Sequence, residues 1–334
     1  MINAYASHKA GQKLKPYVYH PGQLADDEVE IQVEYCGICH SDLSMIDNAW
    51  GMSSYPIVAG HEVVGSVHAI GKNVRTLTLG QTVGLGWHSG YCEQCHQCNH
   101  GDHNLCEQPQ PTIAGHHGGF ADYVRAQATS VIPLPKNMDK ASAAPLLCGG
   151  ITVFNPLIQF DIKPTDHVAI IGLGGLGHIA LLFLKAWGCD VTVFSSHPDK
   201  KRFAQAHGAS QIIDSNDEEK ITNDTNRYDL ILSTVNVSLN WALYIDKLKP
   251  KGRLHIVGGV VEPIPVNAFQ LIMGQKQISG SPVGSPENIK AMLDFAHRHD
   301  IRPTIETFPM TEINDALNHL RSGHARYRIV LINQ

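Results

Sequence analysis

The feature that most constrains the fold of this chain is a glycine-rich turn between a strand pattern and a helix pattern. Residues 166–177 read DHVAIIGLGGLG, so that a continuous apolar run leads into G-x-G-G-x-G. The following HIALLFLKAWG is apolar at helical spacing, and DVTVFSS is a second run of β-branched and aromatic residues. The order strand, glycine turn, helix, strand is the context that a dinucleotide-binding crossover requires. It disfavours the alternative of a glycine-rich turn without a ligand.

The glycines of this turn have separate roles in such a site. Gly172 permits the tight turn, Gly174 lets the backbone approach a pyrophosphate, and Gly177 lets helix and strand pack closely. The partial positive charge at the helix N-terminus then faces the phosphates. Gly175 and Leu176 complete the turn and are counted among the predicted cofactor contacts.

Further strand patterns follow this crossover. The runs QIID, YDLILSTV and GRLHIVGG are separated by helical or turn-rich segments. Strands that alternate with helices form a parallel sheet. The sequence therefore predicts a doubly wound parallel sheet of about six strands over residues 149–286.

The end of the second strand predicts which nicotinamide dinucleotide binds. An NAD site has Asp or Glu there, about 20 residues past the glycines, on the ribose hydroxyls. Here Ser195 and Ser196 take that position, and Lys200 follows shortly after. Hydroxyls and a cation would bind a 2′-phosphate that a carboxylate would repel. The sequence therefore predicts NADPH/NADP+, with these three residues as contacts, whereas Lys201 and Arg202 are equally explained as a solvated helix face.

Half of the eight cysteines lie in one short segment, YCEQCHQCNHGDHNLC, over residues 91–106. The spacing is C-x2-C-x2-C-x7-C, and four thiolates leave a zinc ion no open position, which predicts a structural zinc site. An iron–sulfur cluster is the alternative, although the usual Cys-Pro ending is missing. The predicted ligands are Cys92, Cys95, Cys98 and Cys106. The interleaved histidines, any of which could replace one cysteine, are His96, His100 and His103.

Composition excludes several classes of function. With 26 basic and 31 acidic residues the net charge is −5, and no Lys or Arg lies between residues 91 and 106, so we expect no nucleic-acid partner. No apolar run reaches the roughly 18 residues needed to cross a bilayer, and MINAYASHKAGQKLK lacks the apolar centre of a signal peptide. We therefore expect no membrane partner and a cytoplasmic protein, in which clustered thiols bind metal rather than form disulfides.

Ligand-type residues also occur in three separated segments: YCGICHSDL (35–43), AGHEVVG (59–65) and PLLCGGITVF (145–154). Together Cys39, His61 and Cys148 would form a Cys2His set with an open fourth position, the pattern of a catalytic zinc. Spacing alone does not establish that such distant residues meet. Cys36 and Cys39 form a C-x2-C pair for which redox chemistry is the alternative.

The order of GICHSDL, AGHE, the four-cysteine segment, LLCGGIT and GLGGLG resembles the zinc-dependent medium-chain alcohol dehydrogenases. Within them it is most similar to the cinnamyl alcohol dehydrogenase branch and its bacterial NADPH-dependent aldehyde reductases. The resemblance extends over the whole chain, to the closing RYRIVLI. It implies an α/β protein with a mostly-β, GroES-like substrate domain at 1–148 and 287–334, a Rossmann domain at 149–286, and a homodimer.

The resemblance also implies residue roles around the catalytic metal. Cys39, His61 and Cys148 take the ligand positions, with two zinc ions per chain in all, and Cys36 is a non-ligand. The predicted catalytic residues are Ser41, which contacts the substrate oxygen and starts a proton relay, Asp42, which orients the ligand histidine, and Glu62, close to the metal.

For the cofactor, the resemblance implies contacts from His40 and Thr152. It also implies contacts from Ser281 and Val283, within the segment SGSPVGS at 279–285. One position departs from the family pattern, because many relatives have a histidine three residues after Ser41 that passes the proton to solvent. Here that residue is Ser44, so the proton has to leave by another route.

The implied reaction is the reduction of aliphatic or aromatic aldehydes to primary alcohols, with hydride from NADPH and a proton from Ser41. Trp50, Trp87 and Ile113 are candidate apolar walls for the substrate, although ordinary packing explains each of them equally well. The alternatives are an oxidative NAD(P)-linked alcohol or polyol dehydrogenase, and a zinc-binding redox sensor without turnover.

Overall fold

The computed structural model describes residues 1–333, which divide into two compact units. Unit 1 contains Met1–Ile151 and the described residues from Val283 onward, and unit 2 is Thr152–Pro282. The expected domain limits were residues 148 and 287. The first turn of the helix that starts at Gly149 packs within unit 1, because Gly150 lies against Leu146 and Met292.

The N-terminal part of unit 1 consists mainly of short strands. The strands are β1 Ile2–Ala6, β2 Lys15–Tyr19, β3 Glu28–Ile38, β4 Val63–Ile70, β5 Thr82–Leu85, β6 His88–Gly90, β7 Gln110–Pro111, β8 Tyr123–Gln127 and β9 Val131–Pro133. The α-helices are α1 His40–Ile46, α2 His96–Asn99 and α3 Lys140–Ala143, and 3-10 turns occupy His103–Leu105, Ala128–Ser130 and Ala144–Leu147.

Unit 2 alternates helices and strands. Its elements are α4 Gly149–Gln159 (which starts in unit 1), β10 His167–Ile171, α5 Gly177–Trp187, β11 Asp190–Ser195, α6 Lys201–Ala206, β12 Gln211–Asp214, α7 Glu218–Asn223, β13 Tyr228–Ser233, α8 Trp241–Asp246, β14 Leu248–Ile256, α9 Ala268–Ile272 and β15 Gln277–Gly280. A 3-10 turn, Pro198–Lys200, precedes α6. Unit 1 resumes with α10 Pro286–Arg298, β16 Ile305–Pro309, α11 Ile313–Arg321 and β17 Arg328–Ile332.

The predicted parallel sheet is confirmed in unit 2. Its strand order is β12-β11-β10-β13-β14-β15, and the adjacent pairs are parallel. The order reverses between β10 and β13, which is the point where such sheets bind a dinucleotide outside the carboxyl ends of the strands. The glycine turn follows β10 directly. Helix α5 ends at Trp187 and is capped by Gly188, whose φ of +101° is the left-handed conformation that suits glycine.

The main sheet of unit 1 brings distant segments together. Its order is β16-β17-β3-β4-β5-β9, with β8 also paired to β3. At the end of β3, Cys36 lies opposite Val63 of β4, and Ile38 lies opposite Ile329 of β17. The residues just after β3, just before β4 and at the start of β17 therefore lie near one another, on an apolar core that includes Val33, Ile38 and Val63.

Among the described residues, no single helix is both long and apolar enough to pass for a membrane span. Two consecutive helical segments, Lys140–Leu147 and Gly149–Gln159, are long and apolar enough only when they are counted together, and the chain bends between them.

Candidate active site

Asp42 holds the predicted catalytic ligands in place through three hydrogen bonds. Its carboxylate accepts from the backbone N–H groups of Cys39 and Gly60, each at 2.8 Å, and contacts His61 Nδ1 at 2.8 Å. Asp42 and His61 are fully buried. Because Nδ1 faces the carboxylate, Nε2 is the nitrogen left for a metal.

The three predicted ligands and Glu62 form one buried group. The ligand atoms of Cys39, His61, Glu62 and Cys148 all lie within 4.8 Å of one another, and His61 Nε2 is 3.2 Å from Cys148 Sγ. Cys36 is fully buried but does not belong to this group. Two sulfurs and an imidazole nitrogen are the donor set that zinc prefers, so the chemistry of these residues fits the implied ion.

The two sulfurs of this group compete for protons. The hydrogen bond from Cys148 lowers the pKa of Cys39 well below its ordinary value, while the same hydrogen bond and burial raise the pKa of Cys148 well above it. A divalent cation is what allows two neighbouring buried thiols to ionise together.

Glu62 lies beside the metal group in an ion pair with Arg328. Glu62 is fully buried and Arg328 is 5% exposed. Arg328 Nη2 donates to Glu62 Oε1, and Arg328 Nη1 is 4.0 Å from Cys39 Sγ. Burial raises the pKa of Glu62 to about 7, although the Arg328 charge lowers it. Glu62 Oε2 is buried without a hydrogen-bond partner among the described residues, which fits a cation nearby.

Ser41 and Ser44 lie on α1, next to this group. Ser41 is half-buried, and its Oγ is 3.8 Å from Cys39 Sγ, so the hydroxyl predicted to supply a proton is close to the metal group. Ser44 is also half-buried, and His40, at the start of the same helix, is exposed.

Two of the three candidate wall residues lie near His61, a predicted metal ligand. The Trp87 ring stands edge-on to His61 at a centroid distance of 5.1 Å, and Trp50 stands edge-on to Trp87 at 6.2 Å. Ile113 is instead fully buried in the core of unit 1. The indole rings provide an apolar surface next to the predicted metal.

The four cysteines of residues 92–106 also converge. Their sulfur atoms lie within 4.8 Å of one another, and Cys92 Sγ is 3.4 Å from Cys106 Sγ. The backbone N–H groups of Cys92 and Gln108 donate to Cys106 Sγ, each at 3.4 Å, as suits a thiolate. The interleaved histidines are not part of the group: His96 and His100 are exposed and stack on each other, and His103 contacts the Tyr91 ring.

The glycine turn in unit 2 has the geometry that its three predicted roles require. Gly172 has a φ of +90°. A Cβ on Gly177 would overlap the carbonyl oxygen of Gly172, whereas a Cβ on Gly174 would meet no atom within 4 Å. The turn is therefore tight where helix and strand meet and open at Gly174, where a pyrophosphate would approach. The hydroxyl of Thr234 braces the turn by donating to the Ile171 carbonyl at 2.9 Å.

At the carboxyl end of β11, Ser195 is buried and Ser196 is exposed. The backbone N–H of His197 donates to Ser195 Oγ at 3.3 Å, and His197 Nδ1 is 3.0 Å from Ser196 Oγ. Asn216, in the turn after β12, donates to the Ser196 carbonyl at 3.1 Å. The sequence interpretation included neither His197 nor Asn216 as a partner of the predicted phosphate-binding serines. Lys200 is half-buried at the end of the 3-10 turn.

A buried histidine that the sequence interpretation also missed lies beside Ser281. His255 is fully buried on β14, with Nδ1 2.8 Å from Ser279 Oγ and Nε2 3.0 Å from Ser281 Oγ. Burial lowers the pKa of His255 to about 4, so the imidazole is neutral. The remaining predicted cofactor contacts, Thr152 and Val283, are both buried.

The fold and these two cysteine groups define a zinc-binding dehydrogenase. The chain belongs to the zinc-dependent medium-chain alcohol dehydrogenases, in the cinnamyl alcohol dehydrogenase branch. Residues 25–136 match the alcohol dehydrogenase GroES-like domain, and residues 175–298 match the zinc-binding dehydrogenase domain. The family and the fold class predicted from the motifs are therefore confirmed.

Individual relatives agree with this assignment. Aldehyde reductase AdhA of Synechocystis is 56% identical, over 99% of this chain and 98% of its own length. Among solved structures, cinnamyl alcohol dehydrogenase SbCAD4 of Sorghum bicolor superposes with a TM-score of 0.95 at 36% identity, over 99% of this chain and 97% of that one. The cinnamyl alcohol dehydrogenase of Helicobacter pylori, solved with NADP(H), has a TM-score of 0.92 at 28% identity, with the same coverage.

Proposed function

We propose that this protein reduces aldehydes to primary alcohols with NADPH, in a reaction that depends on a zinc ion held by Cys39, His61 and Cys148. The observation that carries the proposal is the buried group of two sulfurs and one imidazole nitrogen, with Asp42 directing His61 Nε2 toward Cys148. The relative named aldehyde reductase, similar over nearly the whole chain, supports the direction of reaction.

Each residue of the site has a part in this chemistry. When bound, the zinc ion supplies a Lewis acid for the carbonyl oxygen and NADPH supplies the hydride. Asp42 keeps a proton on His61 Nδ1 and so keeps Nε2 available. The Ser41 hydroxyl donates a proton toward the substrate oxygen, and the indole rings of Trp50 and Trp87 exclude water from an apolar aldehyde.

The preference for NADPH rests on the end of β11. Two hydroxyls and Lys200 lie in the region where an NAD site has a carboxylate. The Helicobacter pylori relative, solved with NADP(H), supports this choice. We expect Ser195→Asp to shift the preference toward NADH, since the carboxylate repels a 2′-phosphate, by about tenfold or more. Unchanged ratios of kcat/KM for the two cofactors, with Ser322→Asp at an exposed position of unit 1 as the control, would contradict the assignment.

The four-cysteine group would hold a second, structural zinc ion, so that each chain binds two.

We also propose a homodimer and a cytoplasmic location. The exposed apolar side chains on and near α9, which are Val261, Phe269, Ile272 and Met273, support self-association. Within the described residues all eight cysteines are free, as in a reducing compartment. Light scattering after gel filtration measures the oligomeric state.

A direct test combines metal analysis with a substrate panel. We expect two zinc ions per chain, and NADPH oxidation with aliphatic and aromatic aldehydes that stops when a chelator removes the buried ion. The reverse reaction is measured with primary alcohols and with mannitol as a polyol. Preferential oxidation of the polyol with NAD+ would favour the oxidative alternative and contradict the proposal.

A further inference from the structure

We propose that a cavity in unit 1, apart from the candidate active site, binds an uncharged planar aromatic compound that carries a hydroxyl group. The cavity has a volume of about 540 Å³, within the range of sites that hold small molecules. The described residues that line it include no member of either cysteine group and neither Trp50 nor Trp87. The site is therefore additional to the one that would bind the aldehyde, and it does not depend on the proposed function.

A strand and a loop of unit 1 bring the walls of this cavity together. Strand β2 pairs with β1 along its whole length. Because side chains alternate along a strand, Tyr17 and Tyr19 share one face of β2, and their rings stack at a centroid distance of 6.0 Å. The loop that carries His117 is fixed by its backbone, since the Gly118 N–H donates to the Val58 carbonyl at 2.8 Å. The lining is thus held by backbone hydrogen bonds before a ligand binds.

Three aromatic rings of the lining pack against one another. The His117 ring stands edge-on to Tyr19 at a centroid distance of 4.4 Å and to Tyr17 at 6.0 Å. A further aromatic ring can extend this arrangement, because aromatic pairs at such distances are more favourable than the buried area alone explains. Pro56 and Ile57 add apolar contacts to the same cavity. The lining therefore favours an aromatic ligand.

The charged side chains of the lining, Arg125 and Glu28, both have partners in the protein. Arg125 Nε donates to Glu30 Oε2 at 2.8 Å, and Arg125 Nη1 donates to the Pro21 carbonyl at 3.1 Å. Glu28 Oε2 accepts from the Ala25 N–H at 2.9 Å. One cation and one anion, each engaged, give neither sign of ligand an advantage, and a charged ligand would lose its hydration without a new partner. The lining therefore favours an uncharged ligand.

The remaining polar groups can bind a hydroxyl group. Burial lowers the pKa of His116 and of His117 below the ordinary value, so both imidazoles are neutral near pH 7. Burial raises the pKa of Tyr19 above the ordinary value, so its phenol stays protonated and can donate. His116 Nδ1 is 3.2 Å from the Thr112 carbonyl, which accepts only from an N–H, so the lone pair of the neutral ring is on Nε2. A ligand hydroxyl therefore has both a donor and an acceptor in the lining.

Calorimetry with three probes tests the class of ligand. We expect 2-naphthol, which is uncharged, aromatic and hydroxylated, to bind the full-length protein. Decahydro-2-naphthol keeps the carbon skeleton and the hydroxyl without an aromatic face, and it should bind about fivefold more weakly or worse, since it loses the aromatic pairs. 2-Naphthoate, which carries a carboxylate instead of the hydroxyl, should also bind more weakly. Equal or tighter binding of either analogue, or no binding of 2-naphthol, would overturn the inference.

Substitutions then locate the bound 2-naphthol. Tyr17→Leu and His117→Leu each replace a ring by an apolar side chain and should weaken binding about fivefold, whereas Tyr17→Phe keeps the ring and should bind as the native protein does. Tyr123→Leu is the matched control, because that half-buried tyrosine of β8 contacts the His68 ring instead, and it should also bind as the native protein does. Thermal unfolding of each variant checks that it is folded.

Trp87→Leu distinguishes this cavity from the proposed aldehyde site. The binding that Tyr17→Leu weakens should persist in Trp87→Leu, because the Trp87 indole lies beside His61 and not in the cavity. Binding of 2-naphthol that survives both Tyr17→Leu and His117→Leu at native strength would overturn the inference. Neither that result nor an absence of binding would bear on aldehyde reduction, which is measured separately.

Discussion

The two cysteine groups of unit 1 differ in how the chain brings their sulfur atoms together. The group at residues 92–106 comes from one short segment, in which the spacing and the local turns supply the geometry. The buried group takes Cys39, His61 and Cys148 from three segments, and the pairing of β3 with β4 brings the first two together. The geometry of the group at residues 92–106 therefore depends little on the rest of the fold. The geometry of the buried group depends on each tertiary contact that positions one of its members.

The groups also differ in exposure and in their donor atoms. Cys92 and Cys95 are half-buried, whereas every member of the buried group is buried. Four sulfurs close the coordination of zinc, while two sulfurs and one nitrogen leave a position open. Glu62 Oε2, which has no partner among the described residues, lies in the second group only. The difference predicts that substitutions in the group at residues 92–106 lower the stability of the protein. Substitutions in the buried group should instead lower its activity.

The largest effect is expected for Cys39→Ser. In the proposed site Cys39 is a sulfur ligand, so its loss should prevent binding of the buried ion. Aldehyde reduction should then fall by more than about a hundredfold, since even indirect partners of a ligand contribute 10–100-fold. Zinc content should decrease from two ions to one while the circular dichroism spectrum stays unchanged. Cys189→Ser is the matched control, because that half-exposed cysteine belongs to neither group. Full activity of Cys39→Ser would disprove a catalytic role for the buried group.

A smaller loss of activity is expected for Asp42→Asn. The amide accepts hydrogen bonds through one oxygen only, so it cannot serve Cys39, Gly60 and His61 together as the carboxylate does. We expect kcat/KM to fall by about 10–100-fold, with weaker retention of one zinc ion under chelator competition. Asp47→Asn on the exposed end of α1 is the control. If metal retention and kcat/KM both equal those of the native protein, Asp42 does not orient the ligand.

The same contrast explains what could be predicted from the sequence. The glycine turn and the four-cysteine segment are local patterns, and the structure has the glycines and the sulfur atoms where such patterns require them. Sequence spacing did not establish that Cys39, His61 and Cys148 lie in one site. Only the resemblance to a family implied it. Sites formed by one short segment could therefore be predicted from the residues alone. A site formed by distant segments could not.

Three of the missed residues, Arg328, His255 and Asn216, are connected to the site through tertiary structure. Arg328 lies 266 positions from Glu62, and its only sign in the sequence is a charge within the apolar strand pattern RYRIVLI. His255 is likewise a polar residue in an apolar run, 26 positions from Ser281. Asn216 reaches Ser196 from the neighbouring strand end. For Arg328 and His255, the sequence signal for a site residue was a polar side chain within an apolar strand pattern.

For the local group, Cys106→Ser should affect stability more than chemistry. Cys106 accepts two backbone hydrogen bonds and lies beside Cys92, so its loss should release one zinc ion and loosen residues 92–106. Each kcal/mol lost lowers Tm by about 2–4 °C in a domain of this size, and we expect a decrease of several degrees. Activity below the transition should stay within about threefold of the native value, because the buried group keeps its own contacts. A loss of activity as large as that of Cys39→Ser would contradict the independence of the two groups.

The smallest effect is expected for the histidines that lie between the four cysteines in sequence. His96 and His100 are exposed, their rings stack at a centroid distance of 4.0 Å, and His100 Nδ1 is engaged with the His96 carbonyl at 2.7 Å. Neither belongs to the sulfur group, so the double variant His96→Ala, His100→Ala should keep two zinc ions per chain. The change in unfolding free energy should stay within about 0.5 kcal/mol, as for surface substitutions in general. Zinc analysis and thermal unfolding, with Cys98→Ser measured in parallel, distinguish the two ligand sets. If the double variant loses one zinc ion, a histidine is a ligand at residues 92–106 and the four cysteines are not sufficient. If it keeps both zinc ions, the four closely spaced cysteines are sufficient to bind the ion at that site.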